Sequence, residues 1–127
     1  MSVGDINSTE KGSGARYNDG KPKFSLIPLA LLEGVARVWE HGTKKYSAWN
    51  WAKGADWDIP FDSLMRHLSA WQSGEDLDPL VHPVTGAIGS GLPHIDHMIC
   101  NLLMLKHYSS YYKEGDKRPK EFFNDTN

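Results

Sequence analysis

The scarcities in this chain of 127 residues exclude more than its abundances assert. It has one cysteine, Cys100, so no internal disulfide can form and nothing argues for an oxidising compartment. Lying in an apolar stretch, Cys100 reads as a small buried hydrophobe rather than a reactive thiol. Charge of one sign is also lacking: the formal net charge is -2, which exerts no long-range pull on nucleic acid or an anionic membrane. A duplex-DNA binder and a membrane partner are thereby disfavoured, while a local basic pocket for a small anion stays open. No apolar run approaches the roughly 20 residues that span a bilayer. The N-terminus shows no signal-peptide core, and the expected compartment is the cytoplasm. Strand signals and internal repeats are missing too, which leaves helices to build the fold.

Aromatic residues are plentiful. Of five Trp, Trp39, Trp49, Trp51 and Trp57 fall within one segment. Trp39 and Trp71 suit core bulk. Trp49, Trp51 and Trp57 lie among Asn, Lys, Gly and Asp, where rings serve base stacking or plain packing. Helical periodicity appears in three places. The first helix is expected from Pro28 through Leu29, Leu32, Val35, Ala36 and Trp39 to a stop at Gly42. The second is expected after Asp58 as cap, with Pro60 in its first turn, Phe61, Leu64, Met65, Leu68 and Trp71 as its buried stripe, and Gly74 at its end. The third is expected from about Pro93 to Tyr112, with Ile95, Met98, Ile99, Leu102, Leu103 and Leu105 facing the core. These boundaries divide the chain into a flexible tail (1–14), a helical domain (15–112) and a peripheral C-terminal tail (113–127). The fold class is all-α: a small bundle of three main helices behind an extended N-terminal segment. Three helices give a thin core, so completion by homo-oligomerisation is expected.

On the third helix His94, His97 and Asn101 are spaced by three and then four residues and share one face. Neutral imidazoles one turn apart can hold a metal together; the plainer reading is a solvated face or an interface. On the second helix Arg66 can grip a phosphate with its planar fork or pair with Asp62, and His67 follows it. Glu75, Asp76 and Asp78 form a carboxylate cluster suited to a hard cation such as Mg²⁺, or simply an exposed acidic loop. Asn18-Asp19-Gly20-Lys21 is a tight turn able to clamp a phosphate or base. Lys44-Lys45-Tyr46 and Trp49-Asn50-Trp51 combine charge, ring faces and an amide. Together these residues describe a nucleotide pocket.

The ordered set Gly14-Ala15-Arg16-Tyr17-Asn18-Asp19-Gly20-Lys21, Lys44-Lys45-Tyr46, Asn50-Trp51, Arg66-His67, Gly74-Glu75-Asp76-Leu77-Asp78-Pro79 and Gly91-Leu92-Pro93-His94-Ile95-Asp96-His97 resembles the phage and prophage family labelled dATP/dGTP diphosphohydrolase, N-terminal domain. The resemblance covers about residues 14–110. It implies a phage-encoded protein that handles purine nucleotides in the host cytoplasm, and its label points to release of pyrophosphate from a deoxynucleoside triphosphate. That chemistry is associated with all-helical MazG-type enzymes, which hold Mg²⁺ on a Glu-Glu-x-x-Glu helix and a Glu-x-x-Asp helix. The chain departs from that pattern. Arg66-His67 stands where a carboxylate row is needed, and His94-x-x-His97 replaces Glu-x-x-Asp. Residues 80–90 look like an insertion.

Two functional expectations follow, beside the plain one of a helical oligomerisation module. The first is sequestration of a purine-containing nucleotide, including a nucleotide signal of bacterial immunity, with no cofactor. Tyr17, Trp49 or Trp51 would stack. Arg16, Lys21, Lys45 and Arg66 would contact phosphate, and Asn18 belongs to the same clamp. Asn50, His67, His94, His97 and Asn101 would line the pocket. The second is a dATP/dGTP diphosphohydrolase using Mg²⁺ or Mn²⁺ on Glu75, Asp76 and Asp78 with the histidines. The catalytic residues stay unassigned.

Overall fold

The computed structural model describes residues 7–17 and 19–123, which leaves Asn18 outside the described residues. Three helices dominate: α1 (Glu33–Gly42), α2 (Asp58–Gln72) and α3 (His94–Tyr111), followed by a short α4 (Lys120–Phe123). The chain is all-α among the described residues, apart from the isolated antiparallel bridges Leu77↔Pro93 and Val81↔Ile88. α3 is the central element, packed along α2 and, less extensively, against α1. No helix among the described residues is long and apolar enough to cross a membrane.

The helix ends follow local chemistry with two corrections. α1 begins at Glu33 and not near Pro28, because Leu29–Leu32 tighten into a 3-10 turn. Leu29 and Leu31 are exposed there, so no packing surface holds an α-helical turn in place. A Glu33–Arg37 ion pair at 2.8 Å then supports the first turn of α1. The position before α2 belongs to Trp57, with no side-chain cap, and Asp58 is its first residue. Trp57 is held instead from the far end of the chain. Its backbone N–H donates to the Gly115 carbonyl at 2.9 Å and its indole N–H to the Tyr112 carbonyl at 2.9 Å. Arg118 lies over its ring at 4.9 Å. α2 ends at Gln72, and Gly74, with a φ of +99°, takes the left-handed position that follows the Ser73 cap.

The core is small and unusually polar. Val35, Cys100 and Tyr108 are its buried hydrophobic residues, and His94 and Asn101 are buried with them. Several residues expected inside are exposed: Phe61, Met65, Leu68 and Trp71 on α2, and Ile95, Leu102 and Leu103 on α3. With α2 and α1 both packed on α3, the line they cover is the one through His94, Cys100, Asn101 and Tyr108, and the apolar flanks are left outside. Trp39 does pack centrally, its ring 4.8 Å from that of Trp51.

Candidate functional site

The start of α3 is a junction. Residues after α2 run antiparallel to those before α3: Asp78 N–H donates to the Leu92 carbonyl at 2.8 Å, and His94 N–H to the Asp76 carbonyl at 3.0 Å. Between them, residues 80–90 fold back on themselves, with His82 N–H donating to the Ala87 carbonyl at 2.8 Å and Gly89 N–H to the Leu80 carbonyl at 2.9 Å. This finger closes on Asp78, which accepts the Ser90 N–H at 2.7 Å. A Cβ at Gly89 would collide with the Pro79 carbonyl and the Asp78 carboxylate, so only glycine allows the chain to pass so close.

Here α2, the finger and α3 bring together His67, Asp78, Ser90, His94 and His97. His94 is 2% exposed. Its Nε2 lies 2.7 Å from Glu75 Oε1 and its Nδ1 lies 2.8 Å from His67 Nδ1. A carboxylate only accepts, so His94 donates from Nε2, which leaves Nδ1 as the ring nitrogen that faces His67. His97 stacks on His67, centroids 4.3 Å apart and planes at 7°. Its Nε2 lies 2.6 Å from Ser90 Oγ, which in turn lies 3.2 Å from Asp78 Oδ2. Donation from His97 to Ser90 and from Ser90 to Asp78 satisfies every partner in that row.

Burial pushes the His67 imidazole down to about 4, with His97 and His94 adding to the effect and Asp78 opposing it. Burial also lowers His97, against the pull of Asp78. Both rings are therefore neutral near pH 7, with lone pairs available. One donor atom each from His67, Asp78 and His94 lies within 4.8 Å of the others, a spacing that could hold a metal ion.

Next to this cluster, and sharing His97, is a cavity of about 520 Å³ between α1, the 3-10 turn Asn50–Lys53, α2 and α3. Its walls include the rings of Trp39, Tyr46 and Trp51 and the polar groups of Asn50, Arg66 and Asn101. Asn101 donates from Nδ2 to the His97 carbonyl at 3.0 Å and to Ser63 Oγ at 3.2 Å. The His97 carbonyl fixes the amide orientation, leaving Oδ1 as an acceptor with no protein partner among the described residues. Arg66 forms no ion pair among the described residues, so the expected pairing with Asp62 is not made.

Of the residues singled out in the sequence for a pocket, Tyr46, Asn50, Trp51, Arg66, His97 and Asn101 line this cavity. His67 and His94 lie in the adjoining cluster. Arg16, Tyr17, Lys21, Lys45 and Trp49 do not line it. Trp49 is 73% exposed and meets the site only through its ring, 6.0 Å from that of Trp51. The acidic trio splits as well: Asp78 joins the histidines, Glu75 anchors His94, and Asp76 contributes its backbone carbonyl. Sequence reasoning does not single out Ser63 or Ser90. Ser63 is detectable in principle, since it shares a helix face with Arg66 and His67 at spacings of three and four. Nothing local marks Ser90, which depends on how the finger closes.

Fold and site thus define a small helical domain with a cavity of about 520 Å³ beside a histidine–aspartate cluster. The family profile described as dATP/dGTP diphosphohydrolase, N-terminal, matches residues 11–118, and the chain belongs to that family. It is similar to a "dATP/dGTP diphosphohydrolase" of Salmonella phage PMBT28, 29% identical over 93 residues. That match covers 73% of this chain but only 29% of the phage protein's length. No solved structure matches the chain.

Proposed function

We propose that this chain binds a purine-containing nucleotide in the cavity and sequesters it. The ligand would be a deoxypurine triphosphate or a nucleotide signal of host immunity. The observation that carries the reading is the lining. Aromatic faces for a base, the unpaired Arg66 guanidinium for phosphate and the unpartnered Asn101 Oδ1 for a base N–H all belong to one cavity of about 520 Å³. That volume falls within the range of about 300–1,000 Å³ usual for small-molecule sites. Membership of a family labelled for dATP and dGTP supports a purine ligand. A second copy of this chain would cover the exposed apolar flanks of α2 and α3.

The second reading is metal-dependent cleavage of dATP or dGTP to the monophosphate and pyrophosphate, favoured by the cluster that shares His97 with the cavity. One experiment separates the two. The purified chain is incubated with dATP, dGTP and cyclic dinucleotides, with and without Mn²⁺ or Mg²⁺, then heat-denatured, and the released species are identified. Intact nucleotide recovered at about one per chain is expected. Metal-dependent monophosphate would overturn sequestration in favour of hydrolysis, and neither binding nor turnover would leave only an oligomerisation module.

A further inference from the structure

We infer that His67, Asp78 and His94 form a binding centre for one divalent transition-metal ion, with Glu75 as the outer carboxylate that orients His94. Three observations converge on this. The donor set is two imidazoles and one carboxylate from α2, the following segment and α3, and its atoms lie within 4.8 Å of one another. The two Nδ1 atoms stand only 2.8 Å apart. Two nitrogens sharing one tetrahedral ion at metal–nitrogen distances of about 2.0–2.1 Å stand about 3.3 Å apart, so a shift of about half an ångström turns this hydrogen-bonded pair into a shared ligand pair. Finally, the His94 Nε2–Glu75 contact at 2.7 Å fixes the ring's tautomer and orientation as the outer carboxylate of a metal-ligating histidine does, and leaves Nδ1 as the nitrogen that can ligate.

Asp78 is suited to the third position. Its Oδ2 is held by the Ser90 N–H and hydroxyl, while Oδ1 has no protein partner among the described residues. His97, stacked on His67 and bonded to Ser90, braces both a nitrogen and an oxygen donor. A bare three-residue donor set leaves further coordination positions open.

The donor chemistry selects the ion. Mg²⁺, implied by the resemblance to MazG-type enzymes, requires oxygen ligands and parts reluctantly with its water. A set of two nitrogens and one oxygen does not fit it. Imidazole suits Zn²⁺, Fe²⁺, Co²⁺ and Ni²⁺, and affinity at such a site rises toward the later metals. The expected order is therefore Zn²⁺ above Mn²⁺, with Mg²⁺ far below. This inference holds whether or not the cavity takes a nucleotide.

The test uses metal-stripped full chain without nucleotide. Zn²⁺, Mn²⁺ and Mg²⁺ are titrated against a chromogenic chelator, and Co²⁺ loading is followed by its visible absorption. One equivalent of Zn²⁺ per chain is expected, with Mn²⁺ weaker and no measurable Mg²⁺ binding at millimolar concentration. Asp78→Asn should weaken Zn²⁺ by at least tenfold and alter the Co²⁺ spectrum, and Glu75→Gln should weaken it about 10- to 100-fold. Asp76→Asn should leave it unchanged. His94→Ala removes a core side chain and can unfold the domain, so the test rests on the two carboxylate variants, with folding checked by far-UV circular dichroism. A folded wild-type chain that binds no Zn²⁺ would overturn the inference. So would Zn²⁺ affinity indifferent to Asp78→Asn, or Mg²⁺ binding that depends on Asp76.

Discussion

Removing a single oxygen, in Tyr108→Phe, probes how α3 holds the cavity wall. Tyr108 is 2% exposed, and its hydroxyl donates to the Trp51 carbonyl at 2.6 Å. This bond ties the 3-10 turn Asn50–Lys53 to α3 and so fixes the Trp51 ring, which packs on Trp39 and His107. Burial raises the phenol above its ordinary pKa, which keeps it a donor throughout the physiological range. Phenylalanine fills nearly the same space, so no sizeable cavity adds to the cost. The Trp51 carbonyl is not orphaned, because the Gly54 N–H still reaches it at 3.2 Å. The loss is then that of a net hydrogen bond, about 1 kcal/mol and not the larger penalty for a stranded acceptor. For a domain of this size that lowers Tm by roughly 4 °C. Calorimetry gives the Tm, and fluorescence of Trp51 and its neighbours reports loosening of the turn. Nucleotide affinity should fall with it. A Tm change below about 1 °C would refute the tether. So would a loss as large as that of Tyr108→Ala, for which removal of a buried aromatic ring predicts about 3–5 kcal/mol.

Arg66→Ala should weaken nucleotide binding by roughly 10- to 100-fold, the worth of a charge-assisted contact. It should leave Tm within about 1 °C, since Arg66 is exposed and pairs with nothing among the described residues; isothermal titration and calorimetry read the two quantities separately. Gly89→Ala should destabilise the finger by about 1–3 kcal/mol through overpacking and, by displacing Asp78, weaken Zn²⁺ at least tenfold in the chelator assay. Cys100 should resist iodoacetamide at pH 8 in the folded chain and react on denaturation, because burial pushes its thiol up to about 12 and it is 3% exposed. Light scattering should give a mass of at least twice 14.3 kDa, and Leu102→Glu together with Met65→Glu should return it to one chain.

Legibility in the sequence follows the range of the physics. α2 and α3 are readable because their punctuation is local: Pro60 in a first turn, Gly74 after a last one, Pro93 ahead of His94. The start of α1 is not, because Leu29–Leu32 have helical spacing but nothing to pack on. α3 carries two helical stripes. One is the apolar set around Ile95, Leu102 and Leu103. The other runs through His94, His97, Asn101, Met104 and Tyr108 at spacings of three and four. Hydrophobicity assigns the first to the inside, yet the structure buries His94, Asn101 and Tyr108 from the second. Only long-range packing decides between such stripes. The same holds for the site. Asn50, Trp51, Arg66, His97 and Asn101 are recognisable by chemistry. The grouping of His67 with Asp78 and His94 depends on the antiparallel return through Leu77 and Pro93, which no local pattern encodes.

The inner face of α3 is hard to explain as a solution to folding alone. A domain whose buried hydrophobic residues are Val35, Cys100 and Tyr108 would gain stability from leucines at positions 94 and 101, since apolar burial contributes about 1.5–3 kcal/mol per large side chain. The chain instead buries an imidazole and an amide there and satisfies them with groups brought in from elsewhere. Glu75 bonds His94, Ser63 bonds Asn101, and Ser90 links His97 to Asp78. No fully buried side-chain nitrogen or oxygen is left without a partner among the described residues. Hydrogen-bonded polar networks position their members closely, and this one leaves Asn101 Oδ1 and Asp78 Oδ1 without a protein partner among the described residues, which is what a binding site requires and a hydrophobic core does not. Departures from local folding rules concentrate at functional sites. Here they concentrate on one stripe of one helix, at the wall between the cavity and the histidine–aspartate cluster.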